Sequence, residues 1–116
     1  MILPFNTAIW LYRHPVDFRR QIDGLMMMVA DTLQRDPTSG QLFVFRNRAC
    51  DKIKMLHWQD NGFWLLYKRN ESGRFVFPMT GADTVSLTLE ELQWLLSGLD
   101  LSKQRKRVPL RYTRFF

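Results

Sequence analysis

From Lys103 onward the chain carries Lys103, Arg105, Lys106, Arg107, Arg111 and Arg114 with no acid among them, and it ends on Phe115 and Phe116. Cations without internal counter-charges resist compaction, and a polyanion that sheds its own counterions is their natural ligand. Nucleic-acid backbone is the first expectation; an acidic protein surface and an anionic lipid surface are the alternatives. The formal net charge of +6 is carried by this run alone, so residues 1–102 form a neutral body with a basic tail over 103–116.

The body has its own charge pattern. Residues 40–78 hold Arg46, Arg48, Lys52, Lys54, Lys68, Arg69 and Arg74 against Asp51, Asp60 and Glu71. Residues 83–100 hold Asp83, Glu90, Glu91 and Asp100 and no base. Strand alternation puts Lys52 and Lys54 on one face with Leu56 and Trp58, and Arg46 on a face with Leu42 and Val44. Cations beside rings on a sheet face can track phosphates and stack bases. A solvated face whose Lys and Arg stems cover apolar surface has the same composition. The candidate nucleic-acid-binding set is these seven cations together with the six of the tail.

Little else has the makings of chemistry. His14 and His57 are far apart and lack a nucleophile motif nearby, and one cysteine, Cys50, forms neither an internal disulfide nor metal-ligand spacing with them. No metal or cofactor is expected, and an enzyme is the least favoured class. The N-terminus lacks the basic start of a secretory signal, and no apolar run approaches the length of a membrane helix, so a cytoplasmic protein without membrane contact is the expectation.

The elements that must position these residues follow from periodicity. A first strand is expected over residues 6–13. Pro15 suits the first turn of a helix. Across residues 16–34, Phe18, Ile22, Leu25, Met26, Val29 and Leu33 recur at helical steps, with Arg19 and Asp23 spaced as an i,i+4 pair on the other side. Gly24 within this helix suggests a close backbone approach. The Asp36-Pro37-Thr38-Ser39-Gly40 turn ends it. Four short β-rich runs follow (41–46, 52–58, 63–69 and 74–77), joined by turns short enough to read as an antiparallel meander. Residues 84–87 suggest an edge strand, and Thr88 with Glu91 forms a capping box for a second helix over 89–97. The fold class is α+β: a mostly antiparallel sheet with one long and one short helix, in a single domain over residues 1–102 whose packed part ends near Asp100.

These motifs have a family likeness. Asp17-Phe18-Arg19, Ile22-Asp23-Gly24-Leu25, the run Pro37-Thr38-Ser39-Gly40-Gln41-Leu42-Phe43-Val44-Phe45-Arg46-Asn47-Arg48, and Asp51-Lys52-Ile53-Lys54 with Trp58 resemble the TnpB accessory proteins of bacterial insertion sequences of family sixty-six. Tyr67-Lys68-Arg69, Gly73-Arg74-Phe75, Pro78 and the Leu87-Thr88 step into the second helix continue the likeness, which spans about residues 4–100. These are second-open-reading-frame products, distinct from the RNA-guided nuclease of the same name. The resemblance implies a non-catalytic helper of transposition, acting on DNA, on the transposase or on other element-encoded proteins, with self-association open. Arg20-Gln21 stands where a Lys-Gly step is common, and Ala49-Cys50 fills a turn that is usually more basic or glycine-containing. The tail matches only in being basic.

Overall fold

Leu42, Phe43, Val44 and Phe45 are consecutive apolar residues with no polar alternation, the pattern of a strand covered on both faces. The computed structural model, which describes residues 3, 4 and 6–104, puts them at the centre of a five-stranded sheet. Its elements are β1 (Ile9–Pro15), α1 (Ile22–Asp31), β2 (Leu42–Arg46), β3 (Lys52–Gln59), β4 (Gly62–Arg69), β5 (Thr84–Leu87) and α2 (Leu89–Leu96). The spatial order is β4-β3-β2-β1-β5. Residues 101–104 add a last helical turn.

The sheet is mixed rather than a plain antiparallel meander. β1 lies parallel to β2, with Ile9 opposite Leu42 and Leu11 opposite Val44, and α1 is the crossover that a parallel pair requires. β2, β3 and β4 are joined as antiparallel hairpins, and β5 returns to pair antiparallel with β1 on the far side. β2–β4 are therefore the meander; the fourth run, residues 74–77, is not a strand. Phe75 and Phe77 alternate inward as strand residues would, but both rings drop into the core beneath the sheet, held by the Phe75 N–H donating to the Cys50 carbonyl at 2.8 Å. After β4 the chain crosses to the other side of β1, and residues 74–77 lie on that path rather than on the sheet edge.

Two apolar clusters flank the sheet. On one face Leu25, Val29 and Leu33 from α1 and its C-terminal turn meet Phe43, Phe45 and Leu56. On the other, Leu92 and Leu95 of α2 meet Ile9, Leu11, Leu42, Val44, Ile53, Phe75 and Phe77. Leu101 is buried in this second cluster, so packing continues past Asp100.

Local boundaries differ from expectation for identifiable reasons. Pro15 ends β1 instead of opening a helix; the β1–β2 register breaks between Leu11 and Pro15, so the missing N–H interrupts no regular ladder. Residues 17–20 then form a turn locked by Asp17, whose Oδ1 accepts the Arg19 N–H at 2.9 Å while its carbonyl accepts the Arg20 N–H at 3.1 Å. Arg19 consequently pairs with Asp17 (2.6 Å), not with Asp23. α1 is shorter than its apolar periodicity because Phe18 and Leu33, in the flanking turns, pack on the same cluster as the helix. Gly24 faces no other backbone: a Cβ there would meet the Arg20 side chain at 3.1 Å. The Thr88–Glu91 capping box is present as expected, with bonds of 3.0 and 2.9 Å.

Candidate nucleic-acid interface

Strand directions decide where the charges go. β1 and β2 both finish at one end of the sheet, where β3 begins and β4 ends. That end collects the loop after β1, the turn over residues 47–51 and the loop over residues 70–74. The Asn70 N–H donates to the Asp51 carbonyl (2.8 Å), joining the latter two. The Asn47 side chain fastens the turn, donating to Asp51 (2.6 Å) and accepting from the N–H groups of Asp51 and Lys52. The opposite end carries Asp36 before β2, Asp60 at the β3–β4 tip, and Glu90 and Glu91 in the first turn of α2.

The seven candidate cations of the body thus gather at one end of the sheet, not on one face. The register puts Lys52, Lys54 and Arg69 on the α1 side and Arg46 and Lys68 on the α2 side. The face of cations and rings expected from alternation is closed to solvent at its centre, because α1 covers Leu56 and the turn before it covers Lys54.

Their environments differ sharply. Lys54 is 2% exposed, and its ammonium donates to the carbonyls of Phe18 and Arg20, both at 2.8 Å. It also lies over the rings of Phe18 (5.0 Å) and Tyr67 (5.7 Å). Burial pushes its pKa down, with Asp17 opposing. Arg46 is 6% exposed; its Nε–H donates to the Arg13 carbonyl (2.8 Å) and its guanidinium reaches the Asn47 carbonyl and Cys50 Sγ. These two cations bracket the loops in place and present no free charge.

Three others are partly committed. Lys52 meets Asp51 at 3.3 Å and Arg69 meets Glu71 at 2.7 Å. Lys68 donates to the Leu96 carbonyl at 2.8 Å, placing a cation at the negative C-terminal end of α2. Arg48 and Arg74 are exposed, and their side chains make no hydrogen bond or ion pair among the described residues. Lys103 is exposed on the last helical turn; Arg105, Lys106, Arg107, Arg111 and Arg114 lie outside the described residues.

Arg20 belongs with Arg48 and Arg74 and was absent from the sequence-derived set. It is exposed, makes no ion pair among the described residues, and its own carbonyl holds Lys54 at this same end. Arg13 also sits here but spends its guanidinium on the carbonyls of Ala82 and Met79. Only the parallel placing of β1 beside β2 brings both to the basic end. A charged residue between the first strand and α1 was the available signal, but it carries no direction without the topology.

Nearby acids are held ionised. Hydrogen bonds from Arg19 keep the Asp17 carboxyl down at about 2, and bonding to Asn47 lowers Asp51. Among the described residues no group of three or more His, Cys, Asp or Glu side chains is placed to hold a metal ion, and no helix is long and apolar enough to cross a membrane. His57 is buried, with Nδ1 3.4 Å from the Gln41 carbonyl.

An open mixed sheet with a helix on each face and free guanidinium groups collected at one end defines a small α+β domain whose surface chemistry is charge. Residues 7–106 match the family described as IS66 Orf2 like protein, and the chain belongs to that family. It is therefore an insertion-sequence-associated protein of the accessory type that its motifs resemble. It is similar to two Sinorhizobium fredii proteins named as uncharacterized: y4jC, 36% identical over 109 residues (94% of this chain and 93% of the relative), and y4hO, 33% identical over 95 residues (82% and 83%). No solved structure matches the chain.

Proposed function

We propose that this protein is a non-catalytic accessory factor of insertion-sequence transposition that grips DNA through the basic end of its sheet. Arg20, Arg48 and Arg74, whose side chains make no ion pair among the described residues at an end where cations outnumber the acids Asp17, Asp51, Glu71 and Asp83, are the observation that carries this reading. Lys52, Lys68 and Arg69 border them and are available to phosphates through exchange of weak surface pairs. Lys103 and the tail cations beyond it add sequence-independent affinity. Such contacts position a protein on a duplex; they read no bases, which suits a helper rather than a site-selecting enzyme.

A second reading, docking on the transposase or another element-encoded protein without touching DNA, is favoured by a different place. Val76 and Met79 are exposed and line a cavity with Pro78, Asp100, Leu101 and Ser102 beside the start of the tail. Titration of labelled duplex DNA at several salt concentrations, with the full chain and with residues 1–104, separates the two. The first reading expects salt-dependent binding by both, weaker and with a shallower salt slope for the truncated chain. Absence of salt-dependent binding by either chain overturns it.

A further inference from the structure

β4 is a sheet edge of unusual openness. Among the described residues it pairs only with β3, in a register that runs unbroken from Gly62 to Arg69 without proline or bulge. The opposite edge, β5, is half as long, four residues against eight. Exposed edges are ordinarily blunted by proline, bulges or central charges. β4 instead centres on Trp64, Leu65, Leu66 and Tyr67, with Trp64 47% and Tyr67 52% exposed.

The ladder fixes which backbone groups are free. A two-residue loop makes the closing pair Gln59 and Gly62 a hydrogen-bonded one, and alternate residues follow it. The Asn70 N–H bonded to the Asp51 carbonyl keeps the same phase at the other end. Trp64, Leu66 and Lys68 therefore spend their N–H and C=O on β3, while Phe63, Leu65 and Tyr67 aim theirs outward. Charge also differs along the strand: Asp60 stands at its start, Lys68 and Arg69 at its end.

We propose that β4 is a self-association edge, pairing antiparallel with β4 of a second copy about a two-fold axis at Leu65. This register sets Leu65 opposite itself and Phe63 opposite Tyr67 of the second copy, so every outward backbone group at these positions finds its complement. It sets Trp64 opposite Leu66, a cross-strand apolar pair. It sets Arg69 of the second copy opposite Asn61, one residue from Asp60, so the acidic start of each strand meets the basic end of the other twice by symmetry, whereas a parallel pairing would stack like charges. The two sheets become one, with their basic ends facing away from each other at opposite sides of the junction. The inference stands apart from what those ends bind.

Sedimentation velocity and hydrogen exchange on the full chain test it. The expected result is a dimer, with amides of Phe63, Leu65 and Tyr67 whose exchange slows as protein concentration rises. Asp60→Arg and Arg69→Asp should each weaken dimerisation about tenfold, since each turns the attraction between opposite strand ends into repulsion twice by symmetry, and the double variant should recover it. Leu65→Pro, which removes an outward N–H, should give a monomer; the charge exchange keeps the test intact should that variant fail to fold. A monomer at every soluble concentration, or a dimer whose β4 amides and charge variants are indifferent, overturns the proposal. So does a full chain that is monomeric but dimerises when residues 105–116 are removed, because the tail would then be the edge's occupant.

Discussion

Lys52 and Lys54 stand two residues apart on the same side of β3, as Arg46 and Arg48 stand two apart across the end of β2, yet the members of each pair have opposite tasks. Lys54 and Arg46 are interior residues whose charges are used up on backbone carbonyls. Lys52 and Arg48 lie at or beyond the rim, half-buried and exposed respectively. The difference is one of cover: the Phe18–Arg20 turn roofs Lys54 and the Arg13 carbonyl takes Arg46, while among the described residues Lys52 and Arg48 make no side-chain bond to a loop crossing overhead. A basic stretch in a β-rich sequence therefore mixes cations that hold the basic end together with cations that face solvent. On the proposed reading, substitution of either kind should lower DNA binding, and only the second should do so without lowering stability.

The largest effect should come from the interior pair. Lys54→Ala strands the Phe18 and Arg20 carbonyls and opens a hole between two rings, which should cost about 3 kcal/mol in urea unfolding, and Arg46→Ala should be comparable. Loss of DNA binding in these variants should track the fraction unfolded. A Lys54→Ala protein of unchanged stability would break the distinction.

The rim should behave in the opposite way. Arg48→Ala combined with Arg74→Ala should leave the unfolding midpoint within about 0.5 kcal/mol of the parent. It should reduce the slope of log affinity against log salt by about 2, close to one phosphate contact each. Adding Arg20→Ala should lower the slope again by a similar step. An unchanged slope would move the contact to the tail alone.

A smaller effect concerns the loop that roofs Lys54. Asp17 titrates at about 2 in the folded chain against 3.8 ordinarily, so the unfolded chain takes up its proton first. The stabilisation is complete above the ordinary value and is lost as pH falls from about 4 toward 2. In thermal unfolding across that range, the parent should lose its advantage over Asp17→Asn, and the two should converge at the acid limit. Parallel curves at all pH values would separate the loop from the carboxylate.

Several parts of this molecule were legible in its residues. The second helix with its Thr88–Glu91 box, the hairpins β2–β4 and the strand at residues 84–87 are local events, governed by capping, turn chemistry and period-two alternation within a few residues. The family motifs are legible for the same reason, being contiguous. Phe75 and Phe77 show the limit: their inward alternation is identical in a strand and in a plug beneath a sheet, and the partner that distinguishes them, the Cys50 carbonyl, is far along the chain from Phe77's end of the run. The uninterrupted apolar run of β2 has the pattern of a strand covered on both faces, but read by alternation it gave only one face shared by Leu42, Val44 and Arg46 within a meander; the two-faced burial emerges with a helix on each side.

Residue types and order alone determined a small α+β chain of neutral body and basic tail, its hairpins, its capped second helix and its likeness to an insertion-sequence family. Tertiary structure decided which cations face solvent, because burial depends on what crosses overhead: the parallel seating of β1 beside β2 carries the Phe18–Arg20 turn over Lys54 and Arg13 against Arg46. It also decided that cations from separate turns gather at one end of the sheet, since strand directions bring those turns together. Those are long-range outcomes of closing one core on two faces, and no local pattern contains them.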